Sequence, residues 1–240
     1  MEEHKLIFVK WINDFLSWFL GLIGIHVEHG KDIIPTHIVM ALIVTLIIIG
    51  FFKFAVKKPQ LVPSRMQSFL ESLYLAFRSL IDDVIGEEGR KFLPALGTLG
   101  IFIAMSNLIG LFPEFGSPTS NLNVTVGCAL FVFIYYNYQG MRKHGVLGYL
   151  KTFAGPVWWL AFLFVPIEII SHFSRPLSLS MRLFGNIFGE DLVIIIIASI
   201  VPFIAPLPMM GLAIFTSLIQ AFVFVMLSAI YLAGAMAEEH

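Results

Sequence analysis

The side chains of this chain that could do chemistry in an apolar setting gather around one arginine. Arg182 lies in the stretch Ser178-Leu-Ser-Met-Arg-Leu-Phe-Gly-Asn-Ile-Phe-Gly-Glu190-Asp191, with long apolar segments before and after it and no acidic residue within seven positions on either side. A guanidinium keeps its proton inside a protein, so in a bilayer this charge is permanent. At the centre of a spanning helix it costs roughly 2.5 to 3.5 kcal/mol, which a pathway, a partner or a nearby bilayer edge must offset. Three carboxylates flank it at a distance: Glu168 before, and Glu190 and Asp191 after. Carboxylates can gain and lose protons, whereas a fixed cation between them repels a proton that tries to pass directly.

On a straight helix Glu168 would stand about 21 Å before Arg182 and Asp191 about 13.5 Å after it. Around the axis, Glu168 and Asn186 each fall about 40° from the arginine, Glu190 about 80° and Asp191 about 180°. Glu168 thus shares the arginine's face. The second acid stays open between Glu190, which is better turned, and Asp191. Asn186 and Gln220 are residue types that hydrogen-bond between membrane helices, and Ser178, one turn before Arg182, is suited to helix packing or to wetting a channel. Gly185 and Gly189 form a small-xxx-small surface beside the arginine, usable for packing within the chain or for close approach of another helix.

The elements that position these residues belong to a membrane protein. Of 240 residues, 58% are hydrophobic and 13% charged, and the mean hydropathy is +0.88, whereas a soluble domain carries about 25% charged residues. Too few charges remain to cover a soluble surface, so several spans in one membrane domain, 1–240, is the expectation. The formal net charge of -1 gives no reason to expect a nucleic-acid partner. The single cysteine, Cys128, excludes an internal disulfide. No phosphate loop, nucleophile triad or cysteine cluster is present, so the chain alone is not expected to hydrolyse ATP, and no cofactor is implied. His26-Val-Glu-His29 has metal-binding residue types, but three adjacent donors are too few, and no metal is expected.

Apolar residues from Leu6 to Leu20 recur at helical spacing, which suits a helix lying on the membrane within an outer segment, 1–35. The first span is expected over 36–58, closed by Lys57, Lys58 and Pro59. From 63 to 86 charged and apolar residues mix as in an interfacial helix. A helical hairpin follows over 91–140, its turn at 113–121 rich in Pro, Gly and Ser. Basic residues gather after the first span, at Arg90 and Lys91, and at 142–151, which puts these places on the cytoplasmic side and the amino terminus outside. The stretch Val157 to Ala205 is too long for one upright span of about 20 residues. It could hold two spans or one long tilted helix.

Met181-Arg-Leu-Phe-Gly-Asn186, preceded by Ser174-Arg-Pro-Leu-Ser-Leu-Ser180 and followed by Gln220-Ala-Phe-Val-Phe-Val-Met-Leu-Ser-Ala-Ile-Tyr231, resembles subunit a of the F-type ATP synthases. Asn121-Leu-Asn-Val-Thr125, the first span, the surface helix and the acidic carboxyl end are similar to that family too, so the resemblance covers nearly the whole chain. It implies an all-α integral membrane protein of five transmembrane helices plus the interfacial helix. The last two helices, within 157–236, would form a long tilted hairpin against the ring of c subunits, with a cytoplasmic carboxyl terminus in the cell inner membrane. It implies a non-catalytic stator subunit that passes protons, or Na+, through two offset half-channels to and from carboxylates of that ring, with the b-subunit peripheral stalk as a second partner. Arg182 would be the electrostatic gate, and Glu168, Ser178, Asn186, Glu190, Asp191 and Gln220 the ion pathway. Family members carry an acid or histidine at the position of Asp191. Many also carry a titratable residue on the last helix where this chain has Ala213, so the outer relay is expected to rest on Glu190, Asp191 and water. The alternative is a secondary transporter whose intramembrane arginine binds an anionic substrate.

Overall fold

The computed structural model describes residues 34–55, 63–112, 115–152, 161–201 and 204–237. The expected surface helix over 6–20, the His26–His29 pair and the start of the last hairpin at 157–160 lie outside the described residues. Among those described there are six α-helices and two short 3-10 turns, and no strand. The helices are α1 (Thr36–Ala55), α2 (Arg65–Ile85), α3 (Leu93–Gly110), α4 (Leu122–Thr152), α5 (Ala161–Ile200) and α6 (Pro206–Met236); the 3-10 turns are Glu87–Phe92 and Pro118–Ser120.

Local chemistry sets the boundaries of α2. Ser64 caps its start, accepting from the Gln67 amide at 3.3 Å, which satisfies one of the donors a helix start leaves over. Gly86 ends it at φ 88°, a conformation that costs glycine nothing. Arg90 then clamps the exit: its Nε donates to Asp82 Oδ1 at 2.9 Å and its Nη2 to Asp82 Oδ2 at 3.0 Å, and Nη2 also reaches Glu87 at 3.0 Å. The bidentate hydrogen bond from Arg90 holds the Asp82 carboxyl below its ordinary value of 3.8, with the charges of Arg90 and Arg78 adding to the effect. Pro94 stands in the first turn of α3, where its missing N–H is not needed.

Helices α2, α3 and α6 meet at Gly100, where an added Cβ would lie 2.6 Å from Val225 Cγ2 and 3.1 Å from Phe77 Cε1. Around this crossing Ile81, Phe92, Leu96, Ile103, Val132, Tyr136, Leu183, Phe224 and Leu232 bury together as one core. The outer shell is apolar as well, with Leu46, Phe54, Ile134, Phe162 and Ile195 exposed, as a protein solvated by lipid requires.

Within the stretch that could have held two spans, Ala161–Ile200 is one helix. α5 runs 40 residues from Ala161 to Ile200 with Pro166 and Pro176 inside it. At 1.5 Å per residue it is about 60 Å long, against roughly 30 Å of hydrocarbon. Among the described residues, four helical stretches are long and apolar enough to cross a membrane: Thr36–Ala55, Glu87–Gly110, Phe162–Ile200 and Pro206–Met236. α4 is helical through the return limb of the hairpin expected over 91–140, and its later part carries Arg142, Lys143 and His144 before a break at Gly145, φ 73°. The reversal there lays Tyr149 over Gly140, where a Cβ would meet its ring at 2.6 Å. A side chain at either glycine would be resisted, by backbone strain at Gly145 and by contact at Gly140.

Candidate functional site

α5 and α6 run antiparallel, so a step of four residues forward on one matches four back on the other. Two polar rungs follow this register. Asn186 Nδ2 donates to Gln220 Oε1 at 2.6 Å, and one turn further the Thr216 hydroxyl donates to Glu190 Oε1. The rungs stand about 6 Å apart by helical rise. Arg182 lies one turn from the first rung in the opposite direction, so the sequence-read cluster of Arg182, Asn186, Glu190 and Gln220 assembles along a single seam.

Arg182 is exposed and, among the described residues, its guanidinium has no hydrogen bond or ion pair. Ser178, Gly185 and Asn186 near it are exposed too, whereas Leu179, Leu183 and Ile187, turned progressively away to one side, enter the core. A Cβ at Gly185 or Gly189 would meet nothing within 4 Å. Among the described residues, then, no part of the chain packs on this glycine pair. Asp191 is half-buried and makes no hydrogen bond among the described residues, which separates it from Glu190.

Glu168 is not brought to the arginine. It pairs with Arg175 at 3.3 Å, and the Arg175 guanidinium lies 5.7 Å from the centre of the Tyr231 ring on α6, within cation–π range. Beside them a polar knot ties α4 to α5. His172 Nε2 lies 2.9 Å from Asn137 Oδ1, and Tyr149, folded back past Gly145, donates to the same oxygen at 2.9 Å. At this end Lys143 Nζ donates to the Met236 carbonyl at 3.0 Å, a cation on the last carbonyls of α6, where the helix dipole favours it.

Toward the other end of the seam lies a second polar group, formed by residues whose partners the sequence left unstated. Thr119 in the 3-10 turn donates to Asn107 Oδ1 at 2.6 Å, and Asn107 Nδ2 reaches the Ser217 carbonyl of α6 at 3.4 Å. Ser117 adds bonds to the Ser106 carbonyl at 3.1 Å and to Thr119 at 2.7 Å. The buried Ser106 and Ser217 hydroxyls and Gln220 Nε2 have no hydrogen-bond partner among the described residues. Buried polar atoms of this kind are normally met by ordered water. Thr119, Asn107 and Ser217 therefore extend from the turn to the Gln220 and Thr216 rungs.

Thr216 is the site residue that sequence reasoning missed. Its only signal was spacing: it stands four before Gln220 just as Glu190 stands four after Asn186. Asn121 ends the hairpin turn placed at 113–121, its Oδ1 accepting from the Asn123 amide at 3.0 Å.

A bundle of apolar helices in which an exposed cation and two amide and carboxyl rungs share one seam defines a multi-pass membrane protein with a polar path along a helix pair. The comparisons identify which. The ATP synthase A chain family profile matches residues 38–233. The chain is 46% identical over 240 residues to ATP synthase subunit a of Desulfosudis oleivorans, covering 99% of this chain and 100% of that one. It is 42% identical over 238 residues to ATP synthase subunit a of Geobacter sulfurreducens, with 99% of each covered. To ATP synthase subunit a of Syntrophobacter fumaroxidans it is 42% identical over 234 residues, 94% of this chain and 98% of that one. The chain belongs to the ATP synthase A chain family. As a member it is the proton-channel stator subunit of an F-type ATP synthase, a multi-pass membrane component of that complex, which sets aside the secondary-transporter alternative.

Proposed function

We propose that the α5–α6 seam carries two offset half-channels with Arg182 as the fixed charge between them. The observation that carries this reading is a guanidinium with no partner among the described residues, on a face left open by Gly185 and Gly189, with acids placed toward both ends of the helix and none beside it. The charge then finds its counter-ion on another chain, a carboxylate of the c-ring. A proton enters from the outer side past Thr119, Asn107 and Ser217 to Glu190, with Asp191 beside it, and neutralises a ring carboxylate, which rotates into lipid. After nearly a full turn that carboxylate meets the inner half-channel near Glu168 and Ser178. There the approaching guanidinium favours the ionised form and drives proton release. Asn186 and Gln220 hold the seam at the boundary and keep the two paths apart.

The driving force is the transmembrane potential, about 2.3 kcal/mol per charge per 100 mV. The chain's part is positioning and electrostatics, so it is non-catalytic, and ATP chemistry belongs to other subunits of the complex. The proposed setting is the cell inner membrane, with five crossings, α2 at the interface, the amino terminus outside and the carboxyl terminus cytoplasmic. The 40-residue length of α5 supports a strong tilt against the ring. The b-subunit peripheral stalk completes the set of partners. The transported ion is H+ or Na+, since the selecting carboxylate lies on the ring. The test is ATP-driven ion flux by the assembled complex in vesicles, with and without sodium. Glu190→Gln combined with Asp191→Asn is expected to stop it; an unchanged rate in that double variant would remove the outer half-channel from this seam.

A further inference from the structure

We propose that Thr216 is a positioning residue for the outer proton step: its hydroxyl holds the Glu190 carboxyl on the Asn186–Gln220 side of the α5–α6 seam in both protonation states, making Glu190 rather than Asp191 the outer relay. The inference rests on the half-channel reading above and deepens it. Its basis is geometric. Thr216 occupies the rung directly beyond Gln220, and its Oγ1 contacts Glu190 Oε1 while also lying 3.2 Å from each of the Leu212 and Ala213 carbonyl oxygens. A threonine hydroxyl has one hydrogen to donate and two lone pairs to accept with. Facing an ionised Glu190 it donates to Oε1. Facing a protonated Glu190 it turns its hydrogen to a carbonyl of its own helix and accepts from the carboxyl O–H. Thr216 keeps its own proton throughout; the proton Glu190 gains arrives from the outer side and leaves toward the ring.

Asp191 has no such partner among the described residues, and helical geometry turns it about 180° from Arg182. On α6, Ala213 is buried and cannot titrate, so Thr216 provides the cross-helix contact that Ala213 cannot. The charged and titratable groups around Glu190 are few. Asp191 is its neighbour and Arg182 lies two turns back on α5. The part of α6 from Pro206 to Gln220, all of α3 and the Pro118–Ser120 turn carry no ionisable residue, and α4 offers none before Tyr135 but the buried Cys128.

The experiment measures ATP synthesis by the reconstituted complex as a function of outer-side pH at fixed total driving force, in Thr216→Val, Thr216→Ala and Thr216→Ser, each also combined with Glu190→Gln. Loss of a hydrogen bond to a carboxylate is expected to slow the Val and Ala variants roughly tenfold. Of the two bonds lost, the one to the ionised carboxyl is the stronger, so the profile should also move up by about one pH unit. Ser should restore both rate and profile to within about twofold, and in the Glu190→Gln background none of the three should add a further loss. Wild-type rate and profile in the Val or Ala variant would overturn the inference, as would an equal loss with and without Glu190, which would mark Thr216 as merely structural. If Asp191→Asn abolishes transport while Glu190→Gln does not, the assignment fails but the half-channel reading stands; if neither matters even in combination, that reading is what fails.

Discussion

If the face carrying Arg182 packs on the c-ring as proposed, Gly185→Leu should uncouple the subunit from that ring without harming the chain itself. A Cβ at this position meets nothing within 4 Å, and Gly185 lies one turn beyond Arg182 on the face opposite the core-facing Leu183 and Ile187. Within the chain, a larger side chain has room. If the ring packs on this face closely enough for its carboxylate to reach the guanidinium, leucine's four carbons must be forced into a filled contact. Overpacking of that kind costs about 1 to 3 kcal/mol, or roughly a 5- to 150-fold weaker association. Two readouts separate the levels: copurification of ring with chain, and the initial rate of ATP-driven acidification in inverted vesicles, each normalised to chain content of the membrane. Gly140→Ala is the counterpart. Its Cβ would sit 2.6 Å from a Tyr149 ring carbon and 3.0 Å from the Ala235 carbonyl, so it should lower chain content or melting temperature directly. Full ring association and full pumping in Gly185→Leu would refute the claim that this open face is a contact surface.

Three further outcomes follow from the geometry. Asn186→Leu removes the only bond that the Gln220 side chain makes among the described residues. A buried amide would then be wholly unpaired, and the complex should melt with a loss of about 1 to 3 kcal/mol, read by thermal denaturation of the purified assembly. The Asp82–Arg90 clamp should depend on pH in one direction: because the folded Asp82 is held below its ordinary 3.8, its stabilisation is complete above that value and fades as pH falls below it. The gap in melting temperature between wild type and Asp82→Asn should therefore be constant near neutrality and close only in acid. Asn107→Leu should slow proton transport while leaving ring association intact, since Asn107 links the Pro118–Ser120 turn to α6; a wild-type flux rate in that variant would count against the outer path.

What the residues disclosed in advance was chemistry with a strong intrinsic preference. Arg182 stands out because a permanent charge in an apolar run has a cost that no local pattern hides. The segment 63–86 was marked by its mixture of charged and apolar residues, and the boundary signals of α2 within it, Ser64 and Gly86, are local side-chain and backbone chemistry that this composition does not display. Hydropathy could not separate one long helix from two over Val157 to Ala205, because Pro166 and Pro176 are usual helix breakers that a membrane helix tolerates when its neighbours satisfy the freed carbonyls. Thr216 stayed hidden for a different reason. A hydroxyl bonds wherever an acceptor stands, and its acceptor is fixed by the register between α5 and α6, which no single-helix periodicity contains. The same holds for His172, Asn137 and Tyr149, brought together only by the reversal at Gly145. Gly185 and Gly189 were legible as a close-approach surface, but whether that surface serves the chain or a partner is a fact of packing.

The central claim is that the unpaired charge of Arg182 both drives proton release from the ring and bars direct passage between the half-channels. ATP-driven proton pumping and passive proton leak, measured side by side in vesicles carrying the assembled complex with Arg182→Ala, test it most directly. Pumping should vanish and passive leak should rise above that of wild type. Normal coupled pumping in that variant would contradict the account.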